Sequence, residues 1–225
     1  MNLDLKYIVR DLKLFNPYFI AVVPMMVEGM YKNIISTAKR TKKYNLLMLM
    51  IKISNILRKF KIDLRHLFFG NILNKRLRLM VSGGAALNSY YVEKFDELGI
   101  MILNGYGLTE CSPLVAVNRH ENNVIGSVGT IIKDDVVKIE KDGEILVKGP
   151  NVMLGYYNDE KTTKKVLKNG YFRTGDFGYK DGDILYITGR KKNIIISSDG
   201  KNIFPEEIEE YLDNLDLVSE VVVVG

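Results

Sequence analysis

Three short segments of this 225-residue sequence hold the side chains best suited to chemistry: residues 104–110 (NGYGLTE), 171–176 (YFRTGD) and 189–190 (GR). Glu110 is a hard oxygen donor of the kind that Mg²⁺ prefers, and the adjacent Thr109 hydroxyl can donate to a phosphate. Asp176 follows a tight Thr-Gly turn, where a carboxylate can accept hydrogen bonds from both hydroxyls of a ribose. Arg190 is always charged and can hold the same sugar from the other side. Together the segments indicate a nucleotide site.

The glycines of the first segment suit the same ligand. Gly105 and Gly107 let the backbone approach a flat base, and Tyr106 can form a wall beside it. Each motif alone also has a local interpretation, because Tyr-Gly-x-Thr-Glu is typical of a strand-to-helix turn and Thr-Gly-Asp of a simple turn. The occurrence of all the segments in this order favours a site.

Composition predicts a folded chain in a reducing compartment. Hydrophobic residues make up 47% of the sequence, enough for one large or two modest domains. The single cysteine, Cys111, cannot form an internal disulfide, and with two histidines it makes a poor zinc set. The N-terminus lacks a secretory pattern, and no run reaches the roughly 18 apolar residues of a membrane span. We expect a cytoplasmic chain that is soluble or peripheral to a membrane.

Positive charge is concentrated between residues 39 and 78. This segment holds twelve Lys or Arg and one acid, Asp63. Such a segment can contact an anionic membrane surface, since each cation near it contributes about 1 kcal/mol. A solvated helical face is the alternative, and nucleic acid is not favoured because no binding motif accompanies the charge.

Hydrophobic spacing predicts helices and then an α/β region. Apolar residues recur every three or four positions from Pro24 to about Lys61, and the apolar run 46–51 predicts a buried helix segment. A strand over 78–81, a glycine turn over 82–87, a helix through Glu97 and a strand over 100–103 then favour a parallel sheet. In such sheets ligands sit beyond the carboxyl ends of the strands.

The second half of the chain predicts hairpins and a small further domain. Asp142-Gly143 separates strands 136–139 and 144–147, and Asp181-Gly182 precedes strand 184–186. A helix over 159–168 should end at Asn169-Gly170. After Arg190 we expect a strand (193–197), a turn (Asp199-Gly200), a helix (205–212) and a strand (218–224), as the start of a second domain.

These motifs, with residues 22–28 (VVPMMVE), 82–87 (SGGAAL) and 189–209 (GRKKNIIISSDGKNIFPEEIE), resemble the adenylate-forming superfamily and within it the long-chain acyl-CoA synthetases. The likeness runs from about Pro24 to Gly225. It implies an α/β fold: the C-terminal part of a large domain with a parallel sheet and a small β barrel, followed by the start of a small mobile α+β domain. The implied division is 1–123 (nucleotide and acyl binding), 124–190 (barrel) and 191–225 (C-terminal domain).

The resemblance also implies the chemistry. Such enzymes activate a carboxylic acid with ATP and Mg²⁺, and the acyl adenylate then passes to coenzyme A as the small domain rotates. Thr109 and Glu110 would be catalytic, with Glu110 on the metal, and Lys192 would be the hinge. The implied nucleotide contacts are Gly83, Gly84, Ala85, Asn104, Gly105, Tyr106, Gly107, Thr109, Asp176 and Arg190.

Departures from the family pattern bear on activity. The sequence has no Ser/Thr/Gly-rich loop ending in Lys, the family's phosphate loop, and the lysine that orients the carboxylate would follow Gly225. Ile196 occupies a position that is often basic, and Ala86 replaces a common proline. We expect part of a long-chain fatty acid–CoA ligase that is inactive alone, with the missing N-terminal half as a possible partner. The alternatives are a non-catalytic remnant or split-protein module with at most weak AMP binding, and a ligand-free structural domain.

Overall fold

Residues 7–197, 201–213, 218 and 221–225 are described by the structure, a computed structural model. The chain divides into two compact units, Met1–Leu103 and Asn104–Gly225. The division into 1–123, 124–190 and 191–225 remains a prediction.

The first unit is an α/β structure, as the sequence predicts. Its elements in chain order are α1 (Ile8–Phe15), β1 (Phe19–Val22), α2 (Pro24–Arg40), α3 (Tyr44–Lys59), α4 (Arg65–Phe69), β2 (Leu79–Ser82), α5 (Ser89–Glu97) and the start of β3 (Met101–Gly107). Strands β1 and β2 pair in parallel, with Phe19 opposite Leu79 and Val22 opposite Ser82. The sequence predicts a parallel sheet from the strands 78–81 and 100–103. The parallel pair described here instead joins β2 to β1, a strand that was not predicted, and β3 is the other neighbour of β2 in the sheet.

Helix α2 shows why the sequence folds this way locally. Pro24 occupies the first turn, where its missing N–H costs nothing, and Lys39 and Arg40 lie in the last turn, where positive charge is favourable. Its buried side chains, Val27, Met30 and Ile34, follow the helical period. They join Phe95, Met80 and Leu77 in the core of this unit.

Helix α3 corrects one expectation. The apolar run 46–51 is helical, but Leu46 and Leu49 are each more than half exposed and only Ile51 of the run is buried. The reason is geometric, because a run of six residues covers every side of a helix and a single side packs against the core. None of the described helices is long and apolar enough to cross a membrane.

The second unit is dominated by antiparallel strands. They are the end of β3, β4 (Leu114–Val117), β5 (Gly129–Ile131), β6 (Val136–Ile139), β7 (Glu144–Lys148), β8 (Leu167–Lys168), β9 (Tyr171–Asp181) and β10 (Ile184–Arg190). Their hydrogen-bonded order is β3-β4-β5-β10-β9-β7-β6, with β8 beside β9. A core that includes Val115, Ile145, Val147 and Leu185 lies against this sheet.

Both predicted hairpin turns are confirmed. Gly143 and Gly182 have φ values of +94° and +58°, which glycine adopts without strain. The Glu144 N–H donates to the Asp142 carboxylate at 3.1 Å, which closes the first turn. The sequence therefore fixes where these strands reverse.

The predicted helix over 159–168 is shorter than expected. Helix α6 spans Glu160–Val166, and the Asp159 carboxylate caps it by accepting from the Thr162 N–H at 2.9 Å. Leu167 and Lys168 leave the helix because they pair with β9 as β8. The expected Asn169-Gly170 turn follows, with both residues at positive φ.

The region after Arg190 differs from the prediction in two places. Residues Lys191–Asn193 form a 3₁₀ turn, so the strand expected over 193–197 shrinks to β11 (Ile195–Ile196), which pairs with β12 (Asn202–Ile203). Helix α7 (Pro205–Asp213) is confirmed. Residues 218 and 221–225 form no strand; instead the Val223 N–H donates to the Glu209 carboxylate at 2.8 Å. The expected Asp199-Gly200 turn lies outside the described residues.

Candidate functional site

Asp176 and Arg190 meet across the β9–β10 ladder. The two residues are register partners, and Arg190 Nε lies 3.1 Å from Asp176 Oδ1. The Asp176 side chain is 7% exposed and that of Arg190 is 57% exposed. A buried carboxylate therefore lies beneath a guanidinium that solvent or a ligand can reach.

The second oxygen of Asp176 is also engaged. The Tyr106 hydroxyl, from the end of β3, donates to Asp176 Oδ2 at 2.8 Å. The Asp176 N–H donates to Thr174 Oγ1 at 3.0 Å across the turn at Gly175, which has φ +71°. These contacts fix the orientation of the carboxylate.

Burial raises the pKa of Asp176 above its ordinary range. The Tyr106 hydrogen bond and the charges of Arg190 and Lys192 act in the opposite direction. Burial, followed by the Asp176 charge, raises the pKa of Tyr106, so its hydroxyl stays protonated and donates. Ionisation of this carboxylate therefore costs more free energy than ionisation of an exposed one. Hydrogen bonds from a pair of hydroxyl groups would stabilise the ionised form.

Glu110 and Thr109 lie in a 3₁₀ turn, Thr109–Cys111, directly after β3. The Tyr156 hydroxyl donates to Glu110 Oε1 at 2.8 Å, and the Met153 N–H donates to the Glu110 carbonyl at 2.8 Å. Burial and this hydrogen bond raise the pKa of Tyr156 to about 12. Thr109 is exposed. The turn therefore presents a hydroxyl and an oriented carboxylate.

One of the two glycines of β3, Gly107, has a packing role that the sequence does not reveal. A Cβ on Gly107 would lie 1.8 Å from the Pro113 carbonyl oxygen, so no side chain fits there. Gly105 leaves ordinary van der Waals space. The Asn104 carbonyl accepts from the Asn118 N–H at 2.9 Å. Gly107 is thus required by the close approach of β4, whatever ligand lies nearby.

The glycine turn 83–85 follows β2 in the first unit. Gly84 has φ +87° and is exposed, as is Ala85, whereas Gly83 is partly buried. These residues belong to a different unit from Asp176 and Arg190. Their contact with adenine therefore remains a prediction.

A buried ion-pair cluster beside Asp176 was not predicted from the sequence. The Glu144 side chain is 3% exposed and pairs with Arg173 and with Lys191, whose Nζ is 3.0 Å away. Glu144 also accepts from the Gly175 N–H at 3.3 Å. The Glu144 hydrogen bond raises the pKa of Lys191. The sequence signal that could have indicated this cluster is Glu144 itself, an acidic residue at the first position of the mostly apolar strand β7.

Asp176, Arg190, Glu110 and Glu144 line one cleft of about 600 Å³ within the second unit, whereas Tyr106 and Thr109 are not part of its lining. Its lining combines carboxylates, cations and aromatic or apolar groups: Leu108, Glu110, Glu144, Tyr156, Lys165, Val166, Phe172, Arg173, Thr174, Gly175, Asp176, Arg190, Lys191 and Lys192. A groove of about 560 Å³ along β6 and β9 is lined by valine, isoleucine, tyrosine and lysine without a carboxylate. The carboxylate-bearing cleft is the one suited to a sugar and a phosphate.

Comparison with known proteins identifies the family of the chain. A family model described as "AMP-binding enzyme" matches residues 1–157. The chain belongs to the AMP-binding enzyme family.

Relatives within the family act on different acids. The chain is 32% identical over 243 residues to the long-chain-fatty-acid–CoA ligase FadD15 of Mycobacterium bovis, covering 99% of this chain and 40% of that protein. It is 40% identical over 162 residues to the indoleacetate–CoA ligase of Aromatoleum aromaticum, covering 66% of this chain and 32% of that protein. The chain thus spans two fifths or less of these relatives.

The fold matches solved structures of adenylate-forming enzymes. The o-succinylbenzoate coenzyme A synthetase MenE of Bacillus subtilis, solved with ATP and a magnesium ion, has a TM-score of 0.68 and 25% sequence identity. That match covers 97% of this chain and 41% of MenE. The predicted family and fold class are therefore confirmed.

The residues present fit a magnesium ion held mainly by a nucleotide. The described residues contain no group of three His, Cys, Asp or Glu that could hold a metal alone. Mg²⁺ bound together with a nucleotide needs few protein ligands, because it keeps several waters and binds phosphate oxygens with one or two carboxylates. Glu110 at the cleft wall, oriented by Tyr156, matches that requirement.

Lys192, the predicted hinge residue of the family, lies in the 3₁₀ turn that follows β10. Its charge lowers the pKa of Asp176, and its side chain lines the cleft. The neighbouring Lys191 is held by Glu144 and lies 3.5 Å from Asp142. The 3₁₀ turn thus begins at Lys191, which forms ion pairs with two residues of the β6–β7 hairpin.

Proposed function

We propose that this chain supplies the nucleoside-binding part of an ATP-dependent acid–CoA ligase that activates a long-chain fatty acid. The observation that carries the proposal is the Asp176–Arg190 pair in a cleft. In this role Asp176 accepts hydrogen bonds from the ribose hydroxyls, and Arg190 moves from the carboxylate to donate to the same sugar. Each hydrogen bond to a charged group contributes about 1.5 to 3 kcal/mol.

The phosphate side of the reaction falls to Thr109 and Glu110. Adenylate formation brings a carboxylate towards a phosphate, so fixed donors and a cation must neutralise two anions. The Thr109 hydroxyl donates to phosphate, and Glu110 holds Mg²⁺, which supplies charge neutralisation when bound. Lys191, Lys192 and Arg173 add positive charge to the same cleft.

The proposal that the acid substrate is a long-chain fatty acid rests on the names of relatives and not on an acyl-binding pocket in the structure. FadD15 is named a long-chain-fatty-acid–CoA ligase, whereas MenE and the indoleacetate ligase take aromatic acids by their names. The match to FadD15 extends over 99% of this chain, against 66% for the indoleacetate ligase. Coverage does not separate FadD15 from MenE, which matches 97% of this chain, so the fatty acid is proposed from the name of FadD15, with coenzyme A as the acceptor that both names give.

Alone, the chain should bind nucleotide without turning it over. Its sequence lacks the Ser/Thr/Gly-rich loop with Lys that surrounds the phosphates in the family. The transition-state charge at the phosphate therefore lacks its donors. Acyl-CoA formation by the pure chain from ATP, fatty acid and coenzyme A would contradict this part of the proposal.

Calorimetric titration with AMP tests the proposal. We expect saturable binding that Asp176→Asn weakens by about tenfold or more, the equivalent of one charged hydrogen bond. Asp181→Asn is the matched control, because Asp181 is exposed at the far end of the same strand. Equal affinities of both variants would exclude the ribose role.

The alternative is a non-catalytic module with the ancestry of a ligase. The module would share the cleft and also bind AMP. Turnover after supplying both the upstream and the downstream portions of a relative therefore distinguishes the two. Recovery of adenylate formation supports the ligase, and binding without recovery supports the module. Absence of saturable AMP binding supports a ligand-free domain.

A further inference from the structure

Helix α3 carries an exposed apolar stripe on one side. Its members recur at alternating spacings of three and four residues and are between 42% and 73% exposed: Leu46, Leu49, Ile53, Ile56 and Phe60. This spacing places them along a single side of a helix. Most of the stripe belongs to the helix itself, and Phe60 is its C-terminal cap residue.

The opposite side of α3 is fixed to its own unit. Ile51 and Ser54 are buried. Asn55 donates to Glu97 at 3.3 Å and Arg58 to Asp96 at 2.8 Å, both on α5. The stripe therefore points away from the core in a defined orientation, and rotation of the helix would break these contacts.

Positive charge lies along one edge of the stripe and at both ends of the helix. Residues 39–62 contain no Asp or Glu. Seven of their cations are exposed: Lys39, Arg40, Lys42, Lys43, Lys52, Lys59 and Lys61. At about 100° per residue, Lys52 and Lys59 lie roughly 40° and 60° around the helix from Ile56, so they border the stripe. The others lie before α3 or after it.

We infer that α3 is a membrane-surface helix that inserts its apolar stripe into an anionic lipid leaflet. Interfacial helices combine an apolar face with Lys or Arg at its border, where long side chains keep their charge among the headgroups. The helix has 16 residues and cannot span a bilayer. It lies along the surface.

Charge distinguishes this partner from a protein. The cores of protein interfaces are depleted in lysine, so a stripe bordered by lysine is a poor protein contact. A second copy of this chain would bring the same cations together, which is unfavourable. An anionic lipid leaflet is complementary to both parts, because its acyl chains accept the apolar stripe and its headgroups attract the lysines at the border. The inference does not depend on the nucleotide site.

Co-sedimentation of the whole chain with lipid vesicles tests the inference. We expect binding to vesicles of equal parts phosphatidylcholine and phosphatidylglycerol, little binding to phosphatidylcholine alone, and weakening by salt. Equal binding to both vesicles, or none to the anionic ones, would overturn the inference.

Two pairs of variants separate charge from insertion. Lys52→Gln with Lys59→Gln should weaken anionic binding by about tenfold or more, whereas Lys161→Gln with Lys164→Gln on α6 removes equal charge and should change little. Leu49→Gln with Ile53→Gln should also weaken binding by about tenfold. Leu14→Gln with Met25→Gln is its control, because both residues are apolar, lie in the same unit and are more exposed than Leu49 and Ile53. Losses of equal size in test and control pairs would overturn the assignment to α3.

A fluorescent label gives a direct readout of insertion that does not depend on affinity. Cys111 is fully buried, so a cysteine introduced by Ile53→Cys is the accessible thiol for a polarity-sensitive dye. We expect the emission maximum of the dye to shift to shorter wavelength when the protein binds anionic vesicles, because the dye enters a less polar environment. An unchanged spectrum with bound protein, or light scattering that shows dimers dispersed by Leu49→Gln with Ile53→Gln, would overturn insertion in favour of a protein contact.

Discussion

Arg190 faces Asp176 because the β9–β10 ladder contains a register shift. Ile187 pairs with Gly178, but Gly189 pairs with Phe177 and Arg190 with Asp176. Continued without a break, the first register would place Arg190 opposite Gly175. The irregularity between Ile187 and Gly189 thus brings the guanidinium to the carboxylate, a common use of β-bulges near functional sites.

The raised pKa of Asp176 predicts the pH dependence of nucleoside binding. The ionised carboxylate is the form that accepts from both ribose hydroxyls. Affinity for adenosine should therefore fall as the pH falls through this raised pKa, at a higher pH than an ordinary aspartate near about 3.9 would give. Adenosine is used because it carries no titrating phosphate. A flat profile down to that ordinary value would contradict the prediction.

A variant of Tyr106 should move that profile. The Tyr106 hydrogen bond lowers the pKa of Asp176, so Tyr106→Phe should raise it further and shift the midpoint to higher pH. Tyr179→Phe, an exposed tyrosine on β9, is the control. The same midpoint for all three proteins would show that the two side chains do not interact in solution.

Glu144→Gln should destabilise the second unit by about 3 kcal/mol, the lower end for breaking a buried ion pair. Glu144 is 3% exposed, whereas its partners Arg173 and Lys191 are 29% and 52% exposed, so solvent screens part of the loss. Urea unfolding measures the change. Glu140→Gln in the same hairpin should cost less than about 1 kcal/mol. Equal costs would mean that the buried cluster adds no stability.

Two glycine substitutions should change the free energy of unfolding in opposite directions. Gly107→Ala places a Cβ 1.8 Å from the Pro113 carbonyl oxygen and should cost at least about 2 kcal/mol. Gly29→Ala, inside α2 with nothing within 4 Å, should add about 0.5 to 1 kcal/mol of stability. Thermal unfolding of both variants checks the pair. A stable Gly107→Ala protein would remove the packing explanation of this glycine.

Cys111 should resist thiol reagents in the folded protein. Its side chain is fully buried, and burial raises its pKa to about 12, which leaves little of the reactive thiolate at neutral pH. We expect labelling by Ellman's reagent to follow the rate of unfolding and to become rapid in urea. Complete labelling within seconds under native conditions would contradict this burial.

Local signals in the sequence were sufficient for part of the fold. Asp142-Gly143, Asp181-Gly182 and Asn169-Gly170 marked turns because positive φ favours such residues. The start of α6 was expected near Asn158 or Asp159, because either side chain can cap a helix, and Asp159 is the residue that does so. These features depend on neighbours a few residues away, which a sequence displays directly.

Features set by distant partners were not predictable. The ion pairs of Glu144 join residues 29 and 47 positions apart, and no local pattern pairs them. The ladder irregularity beside Arg190 has no sequence signature of its own. The run 46–51 predicted a helix, but which side is buried depends on α5. Motifs in the sequence therefore identified the site residues, but they did not reveal the ion pairs and the ladder irregularity that position those residues.

The central claim is that Asp176 binds the ribose hydroxyls, and a double cycle of protein and ligand tests it most directly. Wild type and Asp176→Asn are each titrated with AMP and with the dideoxy analogue that lacks both hydroxyls. We predict a coupling of about 1.5 to 3 kcal/mol, because the carboxylate and the hydroxyls lose the same interaction. Additive losses, with coupling near zero, would contradict the account.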